Sequence, residues 1–352
     1  MNYTKDQIAQ WCNTQFPEHL ALLKTLAAIP APSHQEDQRA EFIKKWLTEN
    51  GAENVIIDTA KNVTLSFGEG PYLTVMAHTD VVFPDTCSLP VREENGLLYA
   101  PGVGDDTANV VALMLCAKFF ISHPDMIPEP LLIVFNSCEE GLGNLMGVRQ
   151  IMEDYSGKIH TLVSFDCQSN SIVSRAVGSE RWKVSVSTYG GHSFSDFGNP
   201  NAIAHLSFLV SQLYSQKIPQ KENCITTYNV GLISGGTSVN TIAQSAEMTY
   251  EYRSNDKECL TIMAEQFHQC LAFSSFPGVN ITVKNLGIRP CSGNIPLRFT
   301  QFTSESMQKR HFFCLSGRSF FLRCIHRCQH SPFSWNPSCH LRTIPRRRCP
   351  HP

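Results

Sequence analysis

Apolar positions in the first half of the chain recur in two alternating rhythms. "DQIAQWCNTQFPEHLALLKTLAAIP" and "HQEDQRAEFIKKWLTENGA" carry them at helical spacing, the first closing at prolines and the second at Gly51, a C-terminal cap. "NVIIDTA", "NVTLSFG" and "YLTVMAHTD" then read as strands, and "DDTANVVALMLCAKFFISHP" as a largely buried helix. Leu131, Leu132, Ile133, Val134 and Phe135 follow as a continuous apolar run, the pattern of a strand covered on both faces. "VRQIMEDY" and "TLVSFD" add a helix and a strand. This alternation predicts an α/β fold with a mostly parallel sheet and flanking helices.

Between residues 179 and 284 the rhythm changes. Strand "RWKVSVSTYG", helix "NAIAHLSFLVSQLYSQ", strands "ITTYNVGLISGG" and "AEMTYEYRS", helix "KECLTIMAEQFHQCLAFS" and strand "VNITVKN" follow one another. That βαββαβ order is ferredoxin-like and predicts a second domain inserted into the first. The first domain then comprises residues 1–178 and a return at 285–296.

Composition changes the picture only at the end of the chain. A sequence of 352 residues with 42% hydrophobic residues can bury a large core, and its length suits two domains. No stretch reads as a signal peptide or approaches the roughly 18 apolar residues of a membrane span, so a cytoplasmic protein is expected. The net charge of −2 hides a division: residues 297–352 hold ten Lys and Arg and one acid, Glu305, leaving 19 basic and 30 acidic residues before them. The same segment holds five of the 14 cysteines and five of the 13 histidines, and its apolar periodicity fades. A disordered basic arm, a small metal module around Cys324, His326, Cys328 and His330, or sequence read out of frame would each look like this. The out-of-frame reading is expected, because scattered cysteines and phenylalanines suit neither a solvated arm nor a finger.

Candidate chemistry gathers at the strand ends of the first domain. "YLTVMA" delivers His78, Thr79 and Asp80, and an HxD triplet on a strand points imidazole and carboxylate to one face. "APGVGDDTAN" places Asp105 and Asp106 where a turn opens a helix, a position that a simple N-cap would also explain. Glu139 and Glu140 end the Leu131 run, and Asp166 ends "TLVSFD". Carboxyl ends of strands in open α/β sheets are where ligands bind, and oxygen and nitrogen donors of this kind suit zinc. A glutamate beside a ligand glutamate is placed to take a proton from water activated at a metal.

At these residues the chain resembles the co-catalytic zinc peptidase and deacetylase family, which includes tripeptidase, acetylornithine deacetylase, succinyl-diaminopimelate desuccinylase and glutamate carboxypeptidases. The resemblance covers about residues 15–296 and rests on the ordered set HTD, GVGDD, CEEG and SFD. It implies that His78 binds a first zinc, that Asp80 orients it, and that Asp105 bridges two metals. Glu139 would be the general base, Glu140 a ligand of the second zinc, and Asp166 the completion of the first site. An aspartate at 166 resembles the aminopeptidase branch. In the inserted domain, "YGGHSFSDFGNPNAI" resembles the segment whose histidine, here His192, stabilises the oxyanion in the partner's site. Asn240 and Arg253 match substrate-contact positions, and Arg253 could pair a carboxylate bidentately.

The resemblance also departs in places. Thr107, Ala108 and Asn109 stand where the family has Lys and Gly. From Leu297 its pattern ends, and none of His311, His326, His330, His340 and His351 matches the context of the last zinc ligand. The resemblance therefore implies a zinc-dependent, tripeptidase-like hydrolase of a small peptide or N-acyl amino acid, dimeric through the inserted domain, which matches the family's lid, with no nucleic-acid or membrane partner. Two zincs per subunit hold in the family, and one or none is expected here. The alternatives are an inactive truncated member and a deacetylase on the same scaffold.

Overall fold

The computed structural model describes residues 4–127, 129–167, 173 and 176–292. The segment 297–352, expected to be out of frame, lies outside the described residues. The chain forms two compact units that divide at residues 174 and 175.

In the first unit, α1 (Lys5–Ala28) opens behind Thr4, whose hydroxyl accepts from the Gln7 amide while the Gln7 side chain accepts from the Thr4 amide. α2 (Asp37–Glu49) buries Ala40, Ile43 and Leu47, and Gly51 follows at φ 91°, as a left-handed cap requires. β1 (Ile56–Ile57) is shorter than its apolar pattern suggests, because the Asp58 carboxylate accepts from the Ala60 and Asn62 amides and turns the chain. β2 (Val63–Phe67) and β3 (Tyr72–His78) follow. A ribbon of β4 (Arg92–Glu94) and β5 (Leu97–Tyr99) turns at Asn95 and Gly96, both at positive φ. α3 (Ala108–Ser122), β6 (Leu131–Asn136), α4 (Met146–Asp154) and β7 (Ile159–Ser164) complete the unit.

These strands form one mixed sheet in the order β1-β2-β6-β3-β7. β6, β3 and β7 run parallel, as expected of site-bearing strands, while β2 and β1 add an antiparallel edge. Every residue of β6 is buried, which accounts for its unbroken apolar run. The core on one face joins Leu26, Ile43, Leu47, Val110, Met114, Ile133 and Phe135, and a smaller cluster of Met76, Leu132, Val134 and Ile151 lies on the other. Burial of each such side chain stabilises the unit by about 1.5–3 kcal/mol before chain entropy is charged against it.

The second unit contains β8 (Gly178–Ser187), β9 (Gly191–His192), α5 (Ala202–Tyr214), β10 (Thr226–Gly235), β11 (Thr241–Ile242), β12 (Ser245–Ser254), α6 (Lys257–Phe273) and β13 (Asn280–Arg289). Apart from the short pair β9 and β11, this is the βαββαβ order, with an antiparallel sheet arranged β10-β12-β8-β13. Asn201 and Asp256 cap α5 and α6 with their side chains. Val184, Leu206, Leu209, Tyr250 and Phe267 lie in the core between sheet and helices. β13 pairs with β8 past residue 284, as far as Arg289 opposite Ser179, because a bulge between Asn285 and Gly287 preserves the register. Among the described residues, no helix is long and apolar enough to cross a membrane.

Candidate metal centre

Register brings the first-unit candidates together. His78, the last residue of β3, stands opposite Asn136 at the end of β6, so Glu139 and Glu140 leave the sheet beside it. On its other side Met76 pairs with Ser164, which puts Asp166 just past the end of β7. Asp105 arrives from the turn ahead of α3: its Oδ1 lies 3.0 Å from His78 Nε2, and Asp166 Oδ1 lies 3.8 Å from the same nitrogen. Donors that share one metal tetrahedrally at about 2.0 Å sit about 3.3 Å apart, so these separations fit a common ion.

His78 is fully buried, and its ring is fixed from behind. Nδ1 lies 2.9 Å from the Asp80 carbonyl and 3.3 Å from Asp80 Oδ1. A proton shared there leaves the Nε2 lone pair toward Asp105 and Asp166, the tautomer a metal ligand needs. Two groups of donors converge on this ring: His78, Asp105 and Asp166, and His78, Glu139 and Glu140. Both groups contain the same imidazole, so these candidate donors adjoin one another around His78.

Asp80 does more than orient an imidazole. Its Oδ1 accepts from the Glu139 amide at 3.0 Å, and its Oδ2 from the Glu140 amide at 2.8 Å and from Ser33 Oγ at 2.7 Å. Burial opposes ionisation of Asp80, but His78, Ser33 and the Glu140 amide outweigh it and hold the carboxyl below its ordinary range. One residue earlier, Cys138 takes a left-handed φ of 53°, and its amide donates to Glu36 Oε1 at 3.0 Å. Three successive amides ahead of and within the glutamate pair are thus held by two buried carboxylates.

Asp106 does not cap α3. It accepts from the His78 amide at 3.1 Å and from the Asn109 side chain, which also donates to the Cys167 carbonyl next to Asp166. Burial first, then the charges of Asp166 and Asp105, hold the Asp106 carboxyl well above its ordinary range, with His78 opposing. Arg39, fully buried, donates to the carbonyls of Ile29 and Thr79 and to Thr107 Oγ1, tying the His78 strand end to the Asp105 turn. Burial lowers its guanidinium to about 10, so it remains charged at neutral pH. Glu140 is pushed up to about 7, by burial and by the neighbouring Asp105, Asp80 and Asp166, against the opposing effect of His78.

Glu36 and Arg39 were not legible as site residues. They stand at the start of an amphipathic helix, where charge ordinarily meets solvent, and their partners lie as far away as Cys138.

The second unit brings His192 and Asn240 together. His192 pairs with Thr241, and the Ser193 amide donates to the Asn240 carbonyl at 3.0 Å. Both residues are exposed. Arg253 lies apart on β12, where Nε and Nη2 each donate to Glu251 at 3.1 Å.

Residues 74–278 match the model of peptidase family M20/M25/M40. Succinyl-diaminopimelate desuccinylase of Corynebacterium glutamicum is 24% identical over 275 residues, 76% of this chain and 74% of its own. Among solved structures, a tripeptidase from Staphylococcus aureus aligns with a TM-score of 0.61 at 19% identity, covering 83% of this chain and 82% of its own. A dinuclear metal-binding peptidase of Bacillus subtilis aligns with a TM-score of 0.57 at 16% identity, covering 91% and 84%.

Proposed function

The chain belongs to peptidase family M20/M25/M40, and from that premise we propose a zinc-dependent, tripeptidase-like hydrolase that cleaves an amide bond of a small peptide or N-acyl amino acid. The convergence of His78, Asp105 and Asp166 beside the buried Glu139 carries this reading. His78, Asp105 and Asp166 would hold the zinc, with Glu140 at its other side. Bound there, zinc supplies Lewis-acid polarisation of the amide carbonyl and acidifies water. Glu139 takes the proton from the attacking water and returns it to the leaving amine. Asp80 fixes both the imidazole and the backbone from which Glu139 projects.

His192 is the proposed oxyanion donor and Asn240 a substrate contact. Arg253 would bind a substrate carboxylate by exchanging Glu251 for it. The dinuclear relative suggests two metals, yet the two donor groups share His78 and support one per chain among the described residues.

Glu139→Gln tests the mechanism. The amide keeps the shape of the side chain but cannot take a proton, so zinc content should stay at one per chain while kcat falls by about 10²–10⁴. Unchanged turnover would remove Glu139 as base, and a panel of tripeptides and N-acyl amino acids would separate peptidase from deacylase.

Homodimerisation through the second unit is part of the proposal. β10 forms an edge of its sheet, with Leu232 and Ile233 exposed, which suits pairing with a second copy. Light scattering should give the mass of two chains, and a monomer at working concentration would refute it.

A further inference from the structure

Cys224 and Cys259 face each other in the second unit with their sulfurs 3.5 Å apart. Cys224 sits in the turn after Lys221, immediately ahead of β10, and is partly exposed. Cys259 is buried at the third position of α6, where burial and the neighbouring Cys224 sulfur hold its thiol above its ordinary range. Two hydroxyls complete the surroundings: Ser254 Oγ lies 3.3 Å and Thr226 Oγ1 3.5 Å from the Cys224 sulfur. Burial opposes the Cys224 thiolate, but Ser254, Thr226 and the Cys259 thiol outweigh it and lower the Cys224 thiol below its ordinary range. The accessible sulfur is thus the activated one, and the buried sulfur stands behind it in the position of a resolving thiol.

We propose that Cys224 and Cys259 form a thiol–disulfide exchange site that takes a small-molecule disulfide and closes an internal Cys224–Cys259 bond. The Cys224 thiolate attacks one sulfur of the disulfide RSSR, forming a mixed disulfide and releasing RS⁻, which takes up the proton that Cys224 lost. The Cys259 sulfur, giving up its own proton, then attacks Cys224 and displaces the second RS⁻, which is protonated in turn. Two protein thiols are oxidised to one disulfide, and RSSR is reduced to two RSH. The sulfurs need to close from 3.5 Å to about 2.05 Å, a shift within reach of side-chain rotation. The new bond would tie the first turn of α6 to the start of edge strand β10. It would close the segment that contains β10, β11 and β12, and with them Asn240 and Arg253.

The test uses the full chain, purified reduced and exposed to oxidised glutathione, then digested without reductant. Peptide mapping should find Cys224 joined to Cys259, two hydrogens lighter than the reduced pair. The melting temperature of the second unit should rise by several degrees and fall back with dithiothreitol. Cys224→Ser and Cys259→Ser should each abolish both effects, while Cys291→Ser should change neither. A persistent glutathione adduct on Cys224 would overturn the proposal. So would a bond from either cysteine to another partner, or both thiols remaining open to alkylation. The map of the unsubstituted chain decides this even if a variant fails to fold.

Discussion

Glu140 is held by its backbone and penalised at its side chain. Its amide donates to Asp80, which fixes the residue beside His78, while burial and three neighbouring carboxylates push its own carboxyl up to about 7. Folding without metal therefore favours the protonated form, whereas the unfolded chain releases that proton nearer the ordinary glutamate range. The stability that protonated Glu140 contributes is fully present at low pH and is lost as pH rises through about 7. Metal uptake has the opposite slope, because a ligand carboxylate must be ionised, so zinc affinity should rise between about pH 6 and about pH 8 with release of a proton. Isothermal titration in buffers of different ionisation enthalpy would show it, and an affinity flat across that range would exclude Glu140 from the centre. The residues that meet here were visible in the sequence as polar groups at the ends of apolar strands. Their support was not: Glu36, Arg39 and Asn109 act through contacts that no local pattern encodes.

At the scale of elements, apolar patterning located what burial controls and passed over what turns control. β6 and α3 were legible because nearly every side chain is covered, and the period-2 strands of the second unit because one face is. In the β4–β5 ribbon β4 is entirely charged, so no alternating apolar pattern spans it, and its signal is the Asn95–Gly96 pair instead. The antiparallel edge of the first sheet could not be read from composition, since direction depends on connections and not on which faces are buried. One close approach fixes α4 to the sheet. A Cβ at Gly147 would fall 2.3 Å from the Ser137 carbonyl oxygen and 2.5 Å from Asn62 Oδ1. Both neighbours are held, since Asn62 Oδ1 accepts from the Ser137 amide and Asn62 Nδ2 donates to the Gly147 carbonyl. Gly147→Ala should cost about 1–3 kcal/mol in a denaturant titration, because neither neighbour can yield without losing its bond. A loss below the error of the measurement would mean that α4 slides freely on β6.

Among the described residues each unit has its own main core, one around Ile133 and Phe135 and one around Tyr250 and Phe267. Calorimetry should resolve two transitions, with zinc raising only that of the first unit, since a ligand stabilises the structure that binds it. One transition that zinc shifts as a whole would show the units to be energetically coupled. The second unit also has a property set by the pairing of Ser179 with Arg289. The strand on which the chain enters this unit and the strand on which it leaves are neighbours, so the two ends are about 5 Å apart, a strand spacing. Such a unit is a cassette: with its ends paired across adjacent strands, residues 178–289 make a natural fragment for expression by themselves.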